Sequence, residues 1–67
     1  MYSFRMESGE IIKALKADGW YHIATKGSHL QFKHPSKPGR VTVPHPKRYL
    51  PIGTIKSVEK QAGLKLR

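Results

Sequence analysis

The sequence predicts an α+β domain with the order α-β-β-β-α, in which a three-stranded antiparallel sheet carries both helices on one face. Three observations predict it. Apolar residues recur at helical spacing near both ends of the chain. The middle part, residues 20–44, instead alternates apolar and polar residues in the manner of strands. Turns that carry glycine or proline divide this part into three short runs, as is typical of antiparallel neighbours.

The first element is predicted to be a short amphipathic helix over residues 9–18. Ser8 is the expected N-cap, because its hydroxyl can accept a hydrogen bond from an unpaired amide of the first turn. Glu10 complements the positive end of the helix. Gly19 suits the left-handed position at which helices end.

Three strands are predicted next. Residues 20–25 are rich in aromatic and β-branched side chains, and the turn at 26–28 leads to a second run that alternates over 29–34. Two prolines and a glycine form the following turn. The third strand covers residues 40–44 and ends at a proline, which has no amide hydrogen for a ladder.

The second strand has two chemically different faces. Leu30 and Phe32 share one face and predict the core side, packed under the helices. His29, Gln31 and Lys33 then share the other face, which we expect to be open to solvent.

After an irregular stretch, the second helix is predicted over residues 53–62, and Gly63 is its expected left-handed end. We therefore expect one domain over residues 8–64. Residues 1–7 are expected to be an extension or a flexible start, with Met1 or Met6 as the native first residue, and residues 65–67 a tail.

The composition limits the kinds of active site and partner that the protein can have. At 67 residues the chain has a small core, so an active site should be shallow and open. Thirteen Lys and Arg oppose four Asp and Glu, which gives a net charge of +9 and favours nucleic acid, or else an acidic protein, as partner. The chain has no cysteine, no signal peptide and no apolar run of membrane-spanning length, so we expect a cytoplasmic protein.

Four histidines are candidates for catalysis, and His29 fits best. A neutral imidazole can take the proton of an RNA 2′-hydroxyl, whose oxygen then attacks the adjacent phosphate. Gly27 and Ser28 precede His29 in a turn where a backbone can come close, and Lys26 and Lys33 are placed to hold phosphate. The alternative is a polar histidine on a hairpin with no chemical role.

The remaining candidates rank lower. We expect a structural hydrogen bond for His34, either orientation for His45 in its rigid proline turn, and a helper role for His22 on the exposed face. Trp20 and Tyr21 could stack bases, but a core role is the stronger expectation. No metal site is expected, because zinc-ligand spacing and clustered carboxylates are both missing from the sequence, and no cofactor motif is present.

Several segments, in this order along the chain, resemble the HicA family of toxins. They are Asp18-Gly19-Trp20, Gly27-Ser28-His29-Leu30-Gln31-Phe32-Lys33-His34-Pro35, Val43-Pro44-His45, Leu50-Pro51-Ile52-Gly53-Thr54-Ile55 and Lys60-Gln61-Ala62-Gly63-Leu64. The likeness spans about Ser8 to Leu64. The Gly-Ser-His segment and the Gln-Ala-Gly-Leu ending make it specific together.

The resemblance implies a fold like that of double-stranded RNA-binding domains and a metal-independent endoribonuclease that cleaves mRNA. It places the catalytic histidine on His29 and implies a HicB-type antitoxin that blocks the active site. Together with the charge pattern, it gives an expected RNA-binding set: Lys26, Gly27, Ser28, Gln31, Lys33, Lys37 and Arg40. The acid that protonates the leaving oxygen stays open among Lys33, His22 and water.

Two other functions fit the same sequence. A non-catalytic RNA-binding module would use Lys26, Lys33, Lys37 and Arg40 for phosphate, and its affinity would fall steeply with salt. A protein-binding subunit would use the same basic face for an acidic partner and would have no affinity for RNA.

Overall fold

The computed structural model describes residues 6–66 and contains two helices and three strands. In chain order these are α1 (Ser8–Ala17), β1 (Tyr21–Lys26), β2 (His29–Lys33), β3 (Val41–Pro44) and α2 (Ile52–Ala62). The strands form one antiparallel sheet in the order β1-β2-β3. The predicted α-β-β-β-α order is confirmed.

One hydrophobic core joins the helices to one face of the sheet. Both helices pack against β3, so the core lies under the β2–β3 half of the sheet, and β1 has no buried residue. The buried apolar side chains of this core are Ile11, Leu15, Trp20, Phe32, Val41, Val43, Leu50, Ile55, Val58 and Ala62. No helix within residues 6–66 packs on the opposite face of the sheet.

The start of α1 differs from the expectation. Glu7, not Ser8, is the N-cap residue, and the Glu10 carboxylate accepts a hydrogen bond from the Glu7 amide at 2.9 Å. Ser8 is the first residue inside the helix and is buried. Its hydroxyl bonds to the segment after β3 instead, so it does not cap the helix.

The end of α1 confirms the glycine prediction. Gly19 has φ +106°, and the following Trp20 amide donates to the Leu15 carbonyl at 2.9 Å. A Cβ atom on Gly19 would lie 2.8 Å from Nε2 of His34. Gly19 is therefore required both for its backbone conformation and for space.

A β-bulge in β1 changes which of its side chains face the core. Tyr21 pairs with Lys33 and His22 with Phe32, but the next pair is Ala24 with Gln31, so Ile23 is an extra residue without a partner. Two residues five positions apart normally lie on opposite faces of a strand. The bulge adds one position, and Tyr21 and Lys26 consequently lie on the same face.

The described residues that follow α2 pack against the core. Gly63 has φ +64°, as predicted, and its amide donates to the Glu59 carbonyl at 2.9 Å. Leu64 and Leu66 are half-buried against the core, and the Leu66 amide donates to the Glu59 carboxylate at 2.7 Å. Leu66 of the expected tail therefore packs on the domain, because its side chain lies against the core. The expected extension lies outside the described residues except for residues 6 and 7, and Met6 packs against the core.

Neither α1 nor α2, the helices within residues 6–66, has the length and apolar character needed to cross a membrane.

Candidate active site and nucleic-acid interface

The open face of the sheet consists of three cross-strand rows. Paired residues of antiparallel strands lie side by side on one face, with Cβ atoms about 5 Å apart. In the first row, His29 lies between Lys26 of β1 and Pro44 of β3. This row confirms that His29 faces away from Phe32 and the core, as its alternation predicts.

The other two rows extend the face along β2. Gln31 lies between Ala24 and Thr42, and Lys33 pairs with Tyr21 at the far end of the hairpin. Successive rows are two residues apart, which is about 7 Å along a strand. His29, Gln31 and Lys33 thus form the central line of the open face.

Arg40 also reaches the open face. Its Nη1 atom donates a hydrogen bond to Oε1 of Gln31 at 2.9 Å. This contact holds a guanidinium group beside the central line, although Arg40 precedes β3 in the chain. Of the expected RNA-binding residues, the structure brings together Lys26, Gln31, Lys33 and Arg40.

The turn before His29 is tied to the sheet on both sides. Gly27 has φ +58°, and no atom lies within 4 Å of the position its Cβ would occupy. The Ser28 carbonyl accepts a hydrogen bond from the His45 amide at 2.7 Å. This bond continues the β2–β3 ladder past Pro44, which cannot donate. The backbone at His29 is therefore held between its two neighbouring strands.

The His29 imidazole is accessible and chemically unengaged. The residue is exposed, and no other group within residues 6–66 forms a hydrogen bond with its ring. Both ring nitrogens are therefore available to a bound molecule. A neutral imidazole can accept one proton and donate another through its two nitrogens.

Charge is distributed unevenly between the two sides of the molecule. The four acidic residues of the sequence all lie on a helix or at a helix cap: Glu7, Glu10, Asp18 and Glu59. No strand contains an acidic residue. The open face carries Lys26, Lys33 and Arg40 around His29, so its potential is positive and suited to a polyanion.

His34 has the structural role that its position predicts. Its Nδ1 atom accepts hydrogen bonds from the Ser36 and Lys37 amides at 3.0 and 3.1 Å. Its Nε2 atom lies 2.7 Å from the Asp18 carbonyl, to which it donates. The ring also packs edge-on against Trp20, with centroids 5.2 Å apart.

His22 does not accompany His29, and the expectation of a helper on the exposed face is wrong. His22 pairs with Phe32, and their rings are 5.7 Å apart. It lies on the side of the sheet that carries the helices, near an uncovered corner, and its Nε2 atom is 2.7 Å from the Thr25 hydroxyl. The reason is the register, which sets His22 opposite a core residue.

His45 is also directed away from the open face. Its Nδ1 atom lies 2.7 Å from the hydroxyl of Ser8, which in turn accepts from the Lys47 amide at 2.9 Å. His45 lines a surface depression of about 330 Å³ at the start of α1. The sequence carries no local signal for this contact, because 37 residues separate Ser8 from His45.

Lys37 is held apart from the open face by a structural ion pair. Its Nζ atom lies 2.6 Å from Oδ2 of Asp18 and also donates to the Ala62 carbonyl at 3.1 Å. The Lys37 hydrogen bond, with its positive charge, holds the pKa of Asp18 below its usual value. Lys37 therefore links the carboxyl end of α1 to that of α2.

The two aromatic residues that begin the first predicted strand have different environments. Trp20 is 2% exposed, and its indole nitrogen donates to Asp18 at 3.2 Å, which confirms a core role. Tyr21 is 49% exposed and shares the open face with Lys33. The core expectation is therefore wrong for Tyr21, because strand alternation turns it away from Trp20.

A metal centre has no donor set in the part of the chain that the structure describes. No three His, Asp or Glu side chains within residues 6–66 converge on a common point. The chain contains no cysteine.

The fold and site together define a class: a small α+β protein whose open sheet face is basic and carries one accessible histidine. The family model described as "HicA toxin of bacterial toxin-antitoxin" matches residues 8–64. The chain therefore belongs to the HicA toxin family and is the toxin of a toxin–antitoxin system.

A solved structure agrees with this assignment. A chain of the "HicA3 and HicB3 toxin-antitoxin complex" superimposes with a TM-score of 0.83 at 32% sequence identity. The match covers 92% of this chain and 100% of that one. The fold is accordingly of the type seen in double-stranded RNA-binding domains. No curated protein sequence matches the chain.

Proposed function

We propose that this toxin is an endoribonuclease that cleaves mRNA without a metal ion and uses His29 as the general base. The observation that carries the proposal is the environment of His29. Its imidazole is exposed and unengaged on the central strand of a basic face whose strands contain no carboxylate. Such a face attracts the phosphate backbone and leaves the histidine free to act on it.

The reaction needs only groups that this face can supply. Neutral His29 takes the proton of a 2′-hydroxyl, and the oxygen attacks the adjacent phosphorus. The bond from phosphorus to the 5′-oxygen then breaks, which leaves a 2′,3′-cyclic phosphate and a 5′-hydroxyl on the two fragments. The cation of Lys26, which lies across from His29, offsets the negative charge that grows on the phosphorane.

The 5′-oxygen must receive a proton as it leaves. His22 lies on the other side of the sheet, and Lys33 lies four residues from His29 along β2, about 13 Å in a strand, so water remains of the expected donors. Lys26 is a further candidate, because it lies directly across from His29. A pH–rate profile distinguishes Lys26 from water. A profile that rises and then falls would indicate a second titrating group, whereas a simple rise to a plateau would indicate His29 alone with water.

The first experiment is cleavage of labelled RNA in EDTA by the wild type, His29→Ala and His22→Ala. His22 is the matched control, because it is an exposed histidine of the same hairpin on the opposite face. We expect wild type and His22→Ala to cleave, and His29→Ala to lose at least about 100-fold in rate, as for loss of a general base.

The products should carry a 2′,3′-cyclic phosphate, which acid hydrolysis and end-labelling detect. Circular dichroism must first show that all three proteins are folded. Equal cleavage by wild type and His29→Ala would contradict the proposed base. Cleavage that EDTA abolishes would contradict the metal-independent mechanism.

A second candidate function is a non-catalytic RNA-binding module. The basic face favours it, since Lys26, Lys33 and Arg40 would bind phosphate whether or not His29 reacts. Tight RNA binding by a wild-type protein that cleaves no RNA would select this function. Absence of RNA binding, with tight binding to an acidic protein, would instead select a protein-binding subunit.

We also propose that a HicB-type antitoxin binds the open sheet face and covers His29. The similar solved chain is described in a complex with HicB3, and the same basic face is the charged surface that a blocking partner must cover. Hydrogen exchange should show protection of Lys26 and of β2 when the antitoxin encoded beside this toxin is added. Inhibition of cleavage without such protection would contradict occlusion.

A further inference from the structure

We propose that Tyr21 is a stacking site for a base of the RNA substrate, set apart from the bond that His29 attacks. The inference rests on the proposed function, because it concerns the same RNA strand. It adds a base-binding residue to a face that otherwise offers mainly cations and one histidine.

The position of Tyr21 on the open face follows from its contacts. It pairs with Lys33, while its neighbours Trp20 and His22 lie on the side of the core. Tyr21 is 49% exposed, whereas Trp20 is 2% exposed. A phenol ring in this position has one end on the sheet and the other in solvent, as stacking on a base requires.

The surroundings of Tyr21 favour a base over an apolar protein side chain. Ala24, the next residue of β1 on the open face, has only a methyl side chain and leaves space between Tyr21 and the Lys26–His29 row. Lys33 lies beside Tyr21 and can bind the phosphate of the same nucleotide. Aromatic rings beside cations are the usual means by which proteins bind single-stranded nucleic acid.

The proposed stacking site lies at a distance from the bond that His29 attacks. Lys33 is four residues from His29 along β2, which is about 13 Å in a strand. An RNA strand that runs along the central line from His29 to Lys33 would pass Gln31 and meet Tyr21 a few nucleotides from the scissile bond. The bulge at Ile23 makes this arrangement possible, since it sets Tyr21 and Lys26 on one face.

The test measures binding in a protein that cannot cleave. In the His29→Ala background, the affinity for a short single-stranded RNA is compared among Tyr21, Tyr21→Phe and Tyr21→Leu. Phenylalanine keeps the ring and should bind within about twofold, whereas leucine should bind about 5- to 100-fold more weakly, as loss of one stacked base predicts. The control is Tyr49→Leu, because Tyr49 is 56% exposed but lies outside the sheet.

A second RNA separates stacking from a structural effect. In this strand the sugar–phosphate chain is kept but the bases away from the scissile pair are removed. Tyr21→Leu should weaken binding of the intact strand and leave binding of the abasic strand unchanged. Equal weakening for both strands, or equal affinity of the Phe and Leu variants, would overturn the proposal.

This design also separates the inference from the proposed ribonuclease activity. Failure of the wild type to cleave would contradict the activity, yet ring-dependent binding of the intact strand would still support the stacking site. Conversely, normal cleavage dependent on His29, with no effect of Tyr21→Leu on RNA affinity, would overturn the stacking site alone. Loss of antitoxin binding only, with RNA affinity unchanged, would overturn it as well.

Discussion

Ser8 connects α1 to the segment that follows β3. Its hydroxyl accepts from the Lys47 amide at 2.9 Å and is hydrogen-bonded to Nδ1 of His45 at 2.7 Å, and its own amide donates to the Lys47 carbonyl at 2.9 Å. It is the buried polar residue of the described part of the chain. The His45 amide then bonds to the Ser28 carbonyl, next to His29. A residue on α1 thus supports the turn that carries the proposed base.

Replacing Ser8 with alanine should lower the free energy of unfolding by about 1–3 kcal/mol, because the Lys47 amide loses its acceptor in a partly buried place. Urea denaturation followed by circular dichroism measures the change. Ser57→Ala is the control, since Ser57 is exposed and its hydroxyl only receives a long contact of 3.4 Å from Gln61. Equal destabilisation by both substitutions would contradict the role given to Ser8.

Gly19→Ala should destabilise the fold by at least about 1–2 kcal/mol, because alanine is strained at positive φ and its Cβ would clash with His34. Gly53→Ala provides a comparison in α2, where no atom lies within 4 Å of the added Cβ. That substitution should be neutral or should stabilise by up to about 1 kcal/mol. Thermal unfolding of both variants measures the difference. A neutral Gly19→Ala would show that the turn can shift away from His34.

At the scale of the elements, one ion pair connects the carboxyl ends of both helices. Lys37, in the turn between β2 and β3, donates to Asp18 at the end of α1 and to the Ala62 carbonyl at the end of α2. Asp18 also accepts from the indole of Trp20. The long turn after β2 is therefore anchored to the helices, and His34 adds its own bond to the Asp18 carbonyl.

This connection should make stability depend on pH. The Lys37 hydrogen bond lowers the pKa of Asp18 in the folded protein, so the carboxylate stabilises the fold above its unfolded pKa of about 4. That stabilisation is lost as the pH falls through the lower, folded value. Asp18→Asn should therefore lower the melting temperature at pH 7, and the difference from wild type should narrow below about pH 4.

Melting temperatures of wild type, Asp18→Asn and Lys37→Met over a pH series would measure this effect. Lys37→Met removes the other partner and should show the same flattened response in acid. A difference between wild type and Asp18→Asn that stays constant from pH 7 to the acid limit would contradict the charge-based explanation.

For the whole molecule, the separation of charge decides where RNA is expected to bind. The acidic residues lie on the helices and their caps, where lysines also lie, whereas the open face of the sheet carries Lys26, Lys33 and Arg40 and no acidic residue. The net charge of +9 alone attracts RNA to the protein and does not favour one face. The open face is favoured because no carboxylate on it opposes the attraction of its cations for phosphate.

Substituting one cation of this face should reduce the salt dependence of RNA binding. In the His29→Ala background, Lys33→Gln should lower the slope of log K against log salt by about 0.7, the value for one contact with single-stranded nucleic acid. Lys56→Gln removes the same charge from exposed α2 and should leave the slope unchanged. Equal slopes for the two variants would show that binding follows net charge and not the open face.

Local sequence patterns were enough to predict the order of the elements, the inward face of β2 and the left-handed glycines. These features depend on neighbouring residues: strand alternation separates His29 from Phe32, and the positive φ of Gly19 and Gly63 strongly favours glycine. The structural role of His34 also followed from alternation. The catalytic role of His29 remains a prediction from its motif and its face.

Contacts between side chains that are distant in sequence could not be predicted from local patterns. The bulge at Ile23 brought Tyr21 to the same face as Lys26, and pairing with Asp18 withdrew Lys37 from that face. Glu7 and not Ser8 is the N-cap of α1, and the Ser8 hydroxyl instead accepts a hydrogen bond from the amide of Lys47 in a distant loop. Each outcome depends on contacts between residues far apart in sequence, where local spacing sets no preference and packing selects the register and the partner.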